Sequence, residues 1–211
     1  MDSLARLLAA CGIDRDSVAG DRLAAYLALL EKWNRRINLT ASTAWTSLEP
    51  HIHEAIWAAR FYGDGGGRHL DIGSGAGFPG IPLCILCPTD EFLLVESRER
   101  RAAFLEAVAA GLRLAQAKVV CMRIEDYLEA GDRTPFDNIS WKGLRLSGRA
   151  LGLLAERSLP ETRYWVFHAD SLPVEDAGRM RKLLRRSREE RCPGQSSWRL
   201  SIFRLREERF T

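Results

Sequence analysis

Apolar residues recur at steps of three and four between Asp16 and Asn38, at Leu23, Tyr26, Leu27, Leu30, Trp33 and Ile37. This spacing predicts one face of an amphipathic helix. A second helix is expected from near Ser47, with Glu49 in its first turn, to about Phe61. The pattern changes after the glycine-rich break GDGGG at residues 63–67. Beyond it, strands are predicted at His69–Ile72, Phe92–Val95, Lys118–Cys121, Phe136–Trp141, Tyr164–His168 and Arg199–Leu205. Between them fall an apolar helix ending near Cys87 and a helix Glu99–Gly111 with Ala103, Phe104, Ala107 and Val108 inward. Helical segments are also expected around Gly148–Ser158 and Val174–Arg191. Strands alternating with helices imply an α/β fold, a mainly parallel doubly wound sheet covered on both faces. The expected organisation is an N-terminal helical extension at 1–62 and a core domain at 63–211.

Composition narrows the class. With 211 residues, 46% of them apolar, the chain is long enough for one sizeable core and unlike a disordered segment. No stretch approaches the ~20 apolar residues of a transmembrane helix, and MDSLARLLAACGIDRD does not read as a secretory signal. A cytoplasmic protein without a membrane partner is expected. Five cysteines, an odd number, predict reduced thiols rather than a disulfide framework. Cys84 and Cys87 form a CxxC inside IPLCILCP, but no second pair stands at zinc spacing, so they read as buried helix residues and no metal is expected.

Charge is divided unevenly. Residues 1–141 carry 15 basic and 19 acidic side chains, whereas 142–211 carry 16 and 9. The C-terminal third, at +7, either faces an anion such as nucleic acid or is a solvated surface of an arginine-rich protein.

The chemistry concentrates in HLDIGSGAGFPGIPL, residues 69–83. A strand enters, Asp71 stands at its end, and Gly73, Gly75 and Gly77 follow at alternate positions before a helix. Glycines suit a tight turn on which a ligand approaches the backbone. Gly75, Gly77 and Gly80 also satisfy GxGxxG, which would suit a nicotinamide dinucleotide and an oxidoreductase. Pro79, however, removes an amide from the helix end that would hold pyrophosphate. The pattern DxGxGxG favours S-adenosylmethionine, which needs glycine backbone at its methionyl part and a carboxylate at its ribose. Glu96, after the second strand in LLVES, supplies that carboxylate. The third strand is expected to end in MRIEDY, where Ile124 packs on the adenine and Glu125 or Asp126 receives its amino group.

Several segments together resemble the bacterial 16S ribosomal RNA guanine-N7 methyltransferases, the glucose-inhibited division protein B family. They are LEKWNRRINLTA (30–41), HIHEAI (51–56), DIGSGAGFPGIPL (71–83), ESRERRAAFL (96–105) and FDNISWK (136–142). The resemblance implies a Rossmann-like methyltransferase core whose last strand is antiparallel, acting on guanine 527 of 16S rRNA or the small ribosomal subunit. It implies cofactor contacts at Gly73, Phe78, Ile124, Glu125 and Lys142, where Lys142 stands at a position usually held by Arg. Trp141 stands where the family usually has Ser, and His168-Ala169 where a Lys-Gly pair is common. These departures leave a second reading open, an RNA-binding or ribosome-assembly protein that keeps the fold with little turnover.

N7 of guanine carries a free lone pair, so no proton has to leave before attack and no catalytic base is expected. RNA affinity is expected from cations on phosphate. Arg181, Arg185 and Arg188 would share a face if 174–191 is helical, and Lys142 and Arg199 are further candidates. The same cations also fit a charged outer face. Trp141 reads either as a stacking platform or as core. His51 and His53 read as part of a helix interface rather than as ligands. No stable protein partner is implied.

Overall fold

The computed structural model of the chain describes residues 3–62, 65–130, 133–169, 172, 174–175, 177–194 and 198–206. Residues 63 and 64 of the glycine-rich break and residues 195–197 of the segment before the last strand lie outside this set. Three helices come first: α1 (Ser3–Ala10), α2 (Val18–Asn34) and α3 (Trp45–Ala59). The Ser17 hydroxyl caps α2 by accepting from the Gly20 amide, and Leu23, Tyr26 and Leu30 of the expected face are buried. Leu4, Leu7 and Leu8 turn α1 inward as well.

Among the described residues seven strands form one sheet: β1 (Arg68–Ile72), β2 (Glu91–Val95), β3 (Ala117–Val120), β4 (Asn138–Lys142), β5 (Arg163–His168), β6 (Leu184–Arg191) and β7 (Arg199–Leu205). Their order is β3-β2-β1-β4-β5-β7-β6. The first five are parallel, and β7 and β6 close the sheet antiparallel. The inner parallel strands are almost wholly buried, as expected where helices cover both faces. Those helices are α4 (Gly80–Leu86), α5 (Glu99–Gly111), α6 (Ile124–Ala130), α7 (Gly148–Glu156) and α8 (Ala177–Leu183). One face shares its core with the N-terminal helices, where Tyr26, Ile52, Phe92, Leu94, Phe104 and Trp165 meet. The other gathers Ile72, Leu128, Ile139, Trp141 and Leu151. Trp141 is fully buried there, so it is core and not a stacking platform.

One expected element is wrong. Residues 174–191 are not a continuous helix: α8 ends at Leu183 and β6 begins at Leu184. Arginine and glutamate favour helix locally, but β7 offers an open edge, and Leu184 through Arg191 pair with it apart from a bulge between Arg186 and Arg188. A charged edge strand also protects the sheet from further pairing. Arg181 therefore lies on α8 and Arg185 and Arg188 on β6, with no shared helical face. Among the described residues no helix is long and apolar enough to cross a membrane.

The strand order makes the site. From β1 the chain winds outward to β2 and β3, then returns to the other side of β1 as β4. The loops after β1 and β4 therefore diverge, and a crevice opens at their carboxyl ends.

Candidate active site

The loop after β1 turns at Gly73, whose φ of +68° suits glycine; a Cβ there would stand 2.8 Å from Leu144 Cδ2. Its amide donates to the Val95 carbonyl at 2.8 Å, tying the loop to the end of β2. At Gly77 a Cβ would lie 2.8 Å from Ile81 Cγ1 and 3.0 Å from the Tyr26 hydroxyl oxygen. Tyr26 donates to the Ala76 carbonyl at 2.7 Å and lies edge-on to Phe78, ring centres 5.4 Å apart. Helix α2 thus clamps the loop from outside. Gly73, Gly75 and Phe78 line the crevice, while Gly77 serves the packing of α2 and α4 against it.

Asp71 lies beneath the loop rather than on the cavity wall. Its Oδ1 accepts from the Ser140 hydroxyl at 2.5 Å, and Ser140 in turn sits 2.7 Å from His69 Nε2. Because Ser140 spends its only proton on Asp71, His69 must carry its proton on Nε2 and accept from the Tyr62 hydroxyl at Nδ1. The result is a directional buried chain from Tyr62 to Asp71. Burial, opposed by the Ser140 bond, raises the Asp71 carboxyl to about 6, and burial lowers His69 to about 3.

A histidine whose pKa is depressed on folding binds fewer protons in the native state, so its contribution is lost as pH falls below its unfolded value. As pH falls from about 7 toward 5 His69 therefore costs the fold stability, by at most about 1.4 kcal/mol per pH unit, while the Asp71 carboxyl, which takes up its proton in the folded state near 6, opposes that loss over the same range. Urea denaturation at pH 7 and 5.5 should show His69→Gln losing less stability toward acid than the wild type; an equal pH dependence would remove His69 as a source.

Above Asp71 the crevice encloses about 540 Å³, within the roughly 300–1,000 Å³ usual for small-ligand sites. Glu96 lines it just beyond β2. Its Oε2 accepts from the Gly75 amide and its Oε1 from the Arg98 amide, each at 2.9 Å. This leaves lone pairs on both oxygens for a ligand's hydroxyls. Ile124 and Glu125 line the opposite side, but they open α6 instead of ending a strand, because β3 stops at Val120. Glu125 Oε1 accepts from the Ser147 hydroxyl at 2.7 Å. Lys142, the last residue of β4, forms part of the wall; its ammonium is paired with Glu54 of α3.

Six of the nine residues expected at a cofactor therefore share Glu96's crevice: Gly73, Gly75, Phe78, Ile124, Glu125 and Lys142. Asp71 and Gly77 support it from behind. Other lining residues carried no isolated signal. Leu39 and Thr40 reach the rim because both their amides donate to Asn34 Oδ1 at 2.9 Å, folding the turn after α2 toward the site. His51 lines the wall from α3, a correction to its expected place in a helix interface. Arg98, Arg101, Arg123 and Arg145 stand around the mouth. By contrast, Arg181, Arg185, Arg188 and Arg199 lie outside the lining, and Arg188 and Arg199 pair with Glu190 and Glu189 at 2.8 and 3.4 Å. Cys84 is buried in α4, where burial pushes its thiol up to about 12.

Comparison with known proteins places this geometry in context. The family model described as rRNA small subunit methyltransferase G matches residues 20–161. A ribosomal RNA small subunit methyltransferase G of Ectopseudomonas mendocina is 38% identical over 130 residues, covering 61% of this chain and 59% of that one. That of Roseiflexus castenholzii is 41% identical over 59% of this chain and 54% of its own. The chain thus matches less than two thirds of these two relatives' length. The homologue from Paracoccus denitrificans is 35% identical over 74% of this chain and 79% of its own. Among solved structures, the mitomycin 7-O-methyltransferase MmcR shares the fold with a TM-score of 0.61 at 17% identity, over 98% of this chain and 74% of that one.

Proposed function

The chain belongs to the rRNA small subunit methyltransferase G family, and from that premise we propose that it transfers a methyl group from S-adenosylmethionine to N7 of a guanine in 16S ribosomal RNA, guanine 527 by resemblance. The observation that carries the reading is the convergence of Gly73, Gly75, Glu96, Ile124 and Glu125 on one crevice at the carboxyl ends of β1 and β2. These residues fit the cofactor. Backbone at Gly73 and Gly75 admits the methionyl part, Glu96 takes the ribose hydroxyls, and Ile124 with Glu125 takes the adenine. When bound, the cofactor supplies an electrophilic methyl on a sulfonium.

The chain's own work is then alignment. N7 attacks with a lone pair that needs no deprotonation, so holding the base in line and excluding water suffices. Phe78 and the loop held by Tyr26 form the wall against which the two reactants meet. Arg98, Arg101, Arg123 and Arg145 surround the mouth and are read as phosphate contacts, with Arg181, Arg185, Arg188 and Arg199 as outlying ones. Residues 1–62 act as a helical extension that braces the 63–211 core, and the protein works in the cytoplasm on ribosomal RNA.

Calorimetry with S-adenosylmethionine, followed by nucleoside mass spectrometry of small-subunit RNA incubated with the protein, tests the reading. Saturable binding and a new 7-methylguanosine are expected. Binding without transfer would select the RNA-binding or assembly role instead, and absence of binding would remove the cofactor site.

A further inference from the structure

His51 lines the crevice without carrying any of the cofactor contacts proposed above. His51 of α3 meets Lys142 at the edge of the crevice, where the Lys142 ammonium donates to its Nδ1 at 2.9 Å and to a carboxylate oxygen of Glu54. The same ammonium lies 4.5 Å from the centre of the Trp198 ring. An ammonium has donors only, so Nδ1 of His51 must be the unprotonated nitrogen and the proton must sit on Nε2. The imidazole rests against Phe78, ring centres 5.1 Å apart. Burial and the adjacent Lys142 charge keep it neutral, its pKa lowered to about 4. Among the described residues none accepts from Nε2–H. The wall therefore carries a neutral hydrogen-bond donor whose tautomer is set by its neighbour.

We propose that His51 Nε2–H donates to O6 of the acceptor base and is the residue that selects guanine over adenine; this rests on the reading of the crevice as a guanine-N7 methylation site. Guanine presents N7 and O6 on one edge, both acceptors, whereas adenine places its N6 amine donors beside N7. A group that can only donate pairs with O6 and opposes the amine. Its neutrality matters as well, because positive charge moves onto the purine as the methyl arrives, and a cation at O6 would resist it. The Lys142 charge is compensated by Glu54, so Lys142 acts as a positioning residue that sets the His51 tautomer.

The test compares small subunits reconstituted on 16S rRNA carrying either guanine or 2-aminopurine at the target; 2-aminopurine keeps N7 but lacks O6. Wild-type protein should methylate 2-aminopurine about tenfold more slowly than guanine, the loss of one good base-edge contact. His51→Ala should be about tenfold slower on guanine and show no further loss on 2-aminopurine, since the same contact is already gone. His51→Asn, whose amide restores a donor, should regain part of the difference. S-adenosylmethionine affinity within about twofold of wild type shows that the variants keep the folded site. Equal wild-type rates on the two bases, or an equal further loss on 2-aminopurine in His51→Ala, would overturn the assignment. If wild-type protein binds the cofactor but transfers nothing to guanine-containing subunits, the methylation reading fails first and the assignment with it.

Discussion

Glu96→Ala is expected to weaken S-adenosylmethionine binding by at least about 100-fold, the largest loss any single lining residue should cause. The carboxylate does two jobs. It accepts from the Gly75 and Arg98 amides and so holds the glycine loop against the end of β2, and its remaining lone pairs face the cavity that Glu96 lines. Hydrogen bonds to a charged group are each worth about 1.5–3 kcal/mol, and two ribose hydroxyls would make two of them. Tenfold in affinity is about 1.4 kcal/mol, so losing both bonds reaches two orders of magnitude without counting the loop. Removal also leaves the Gly75 amide without its partner.

Glu96→Gln separates shape from charge. Its amide must turn an NH2 toward the Gly75 or the Arg98 N–H, donor against donor, so it should bind nearly as poorly as alanine. Titration calorimetry measures both variants, and binding by Glu96→Ala within about fivefold of wild type would remove Glu96 from the ribose site.

Why was this carboxylate legible in the sequence and His51 not? Glu96 follows a short apolar run at a set distance from a glycine turn, and parallel strands place such positions at one end of the sheet. Gly73, Gly75 and Phe78 are carried by the same local logic. His51 sits mid-helix, and nothing in HIHEAI distinguishes the histidine facing a cavity from one facing a helix; the distinction depends on how α3 lies against β4. Glu54, at 2% exposure, was silent for the same reason, since its partner is 88 residues away. The misread helix over 174–191 shows the opposite limit. LRRSREER has no alternation of apolar and polar residues, so its strand character comes only from pairing with β7, a tertiary effect that local propensity does not contain. The central strands were legible because burial on both faces leaves short apolar runs.

The second large effect concerns stability. Lys142→Met is expected to destabilise the fold by about 3–5 kcal/mol, the usual result of stranding one member of a buried ion pair. Among the described residues Glu54 Oε1 has no hydrogen-bond partner and Oε2 has only Lys142. Burial raises the Glu54 pKa and the Lys142 charge pulls it back; without that charge the carboxyl rises further. A carboxyl with a raised native pKa holds more protons folded than unfolded, so stability falls as pH climbs from its unfolded value toward the native one. The Lys142→Met penalty should therefore be smaller at pH 5 than at pH 8. Urea denaturation at the two values checks it, and a pH-independent penalty would show that Glu54 is not the stranded group. Adding Glu54→Met should restore most of the loss, because apolar groups of similar volume often replace a buried pair at little cost. That double variant then divides stability from chemistry. It should fold, and at saturating S-adenosylmethionine His51 Nδ1 would face no ammonium and its tautomer would be free, so discrimination between guanine and 2-aminopurine should shrink although neither substitution touches His51 itself.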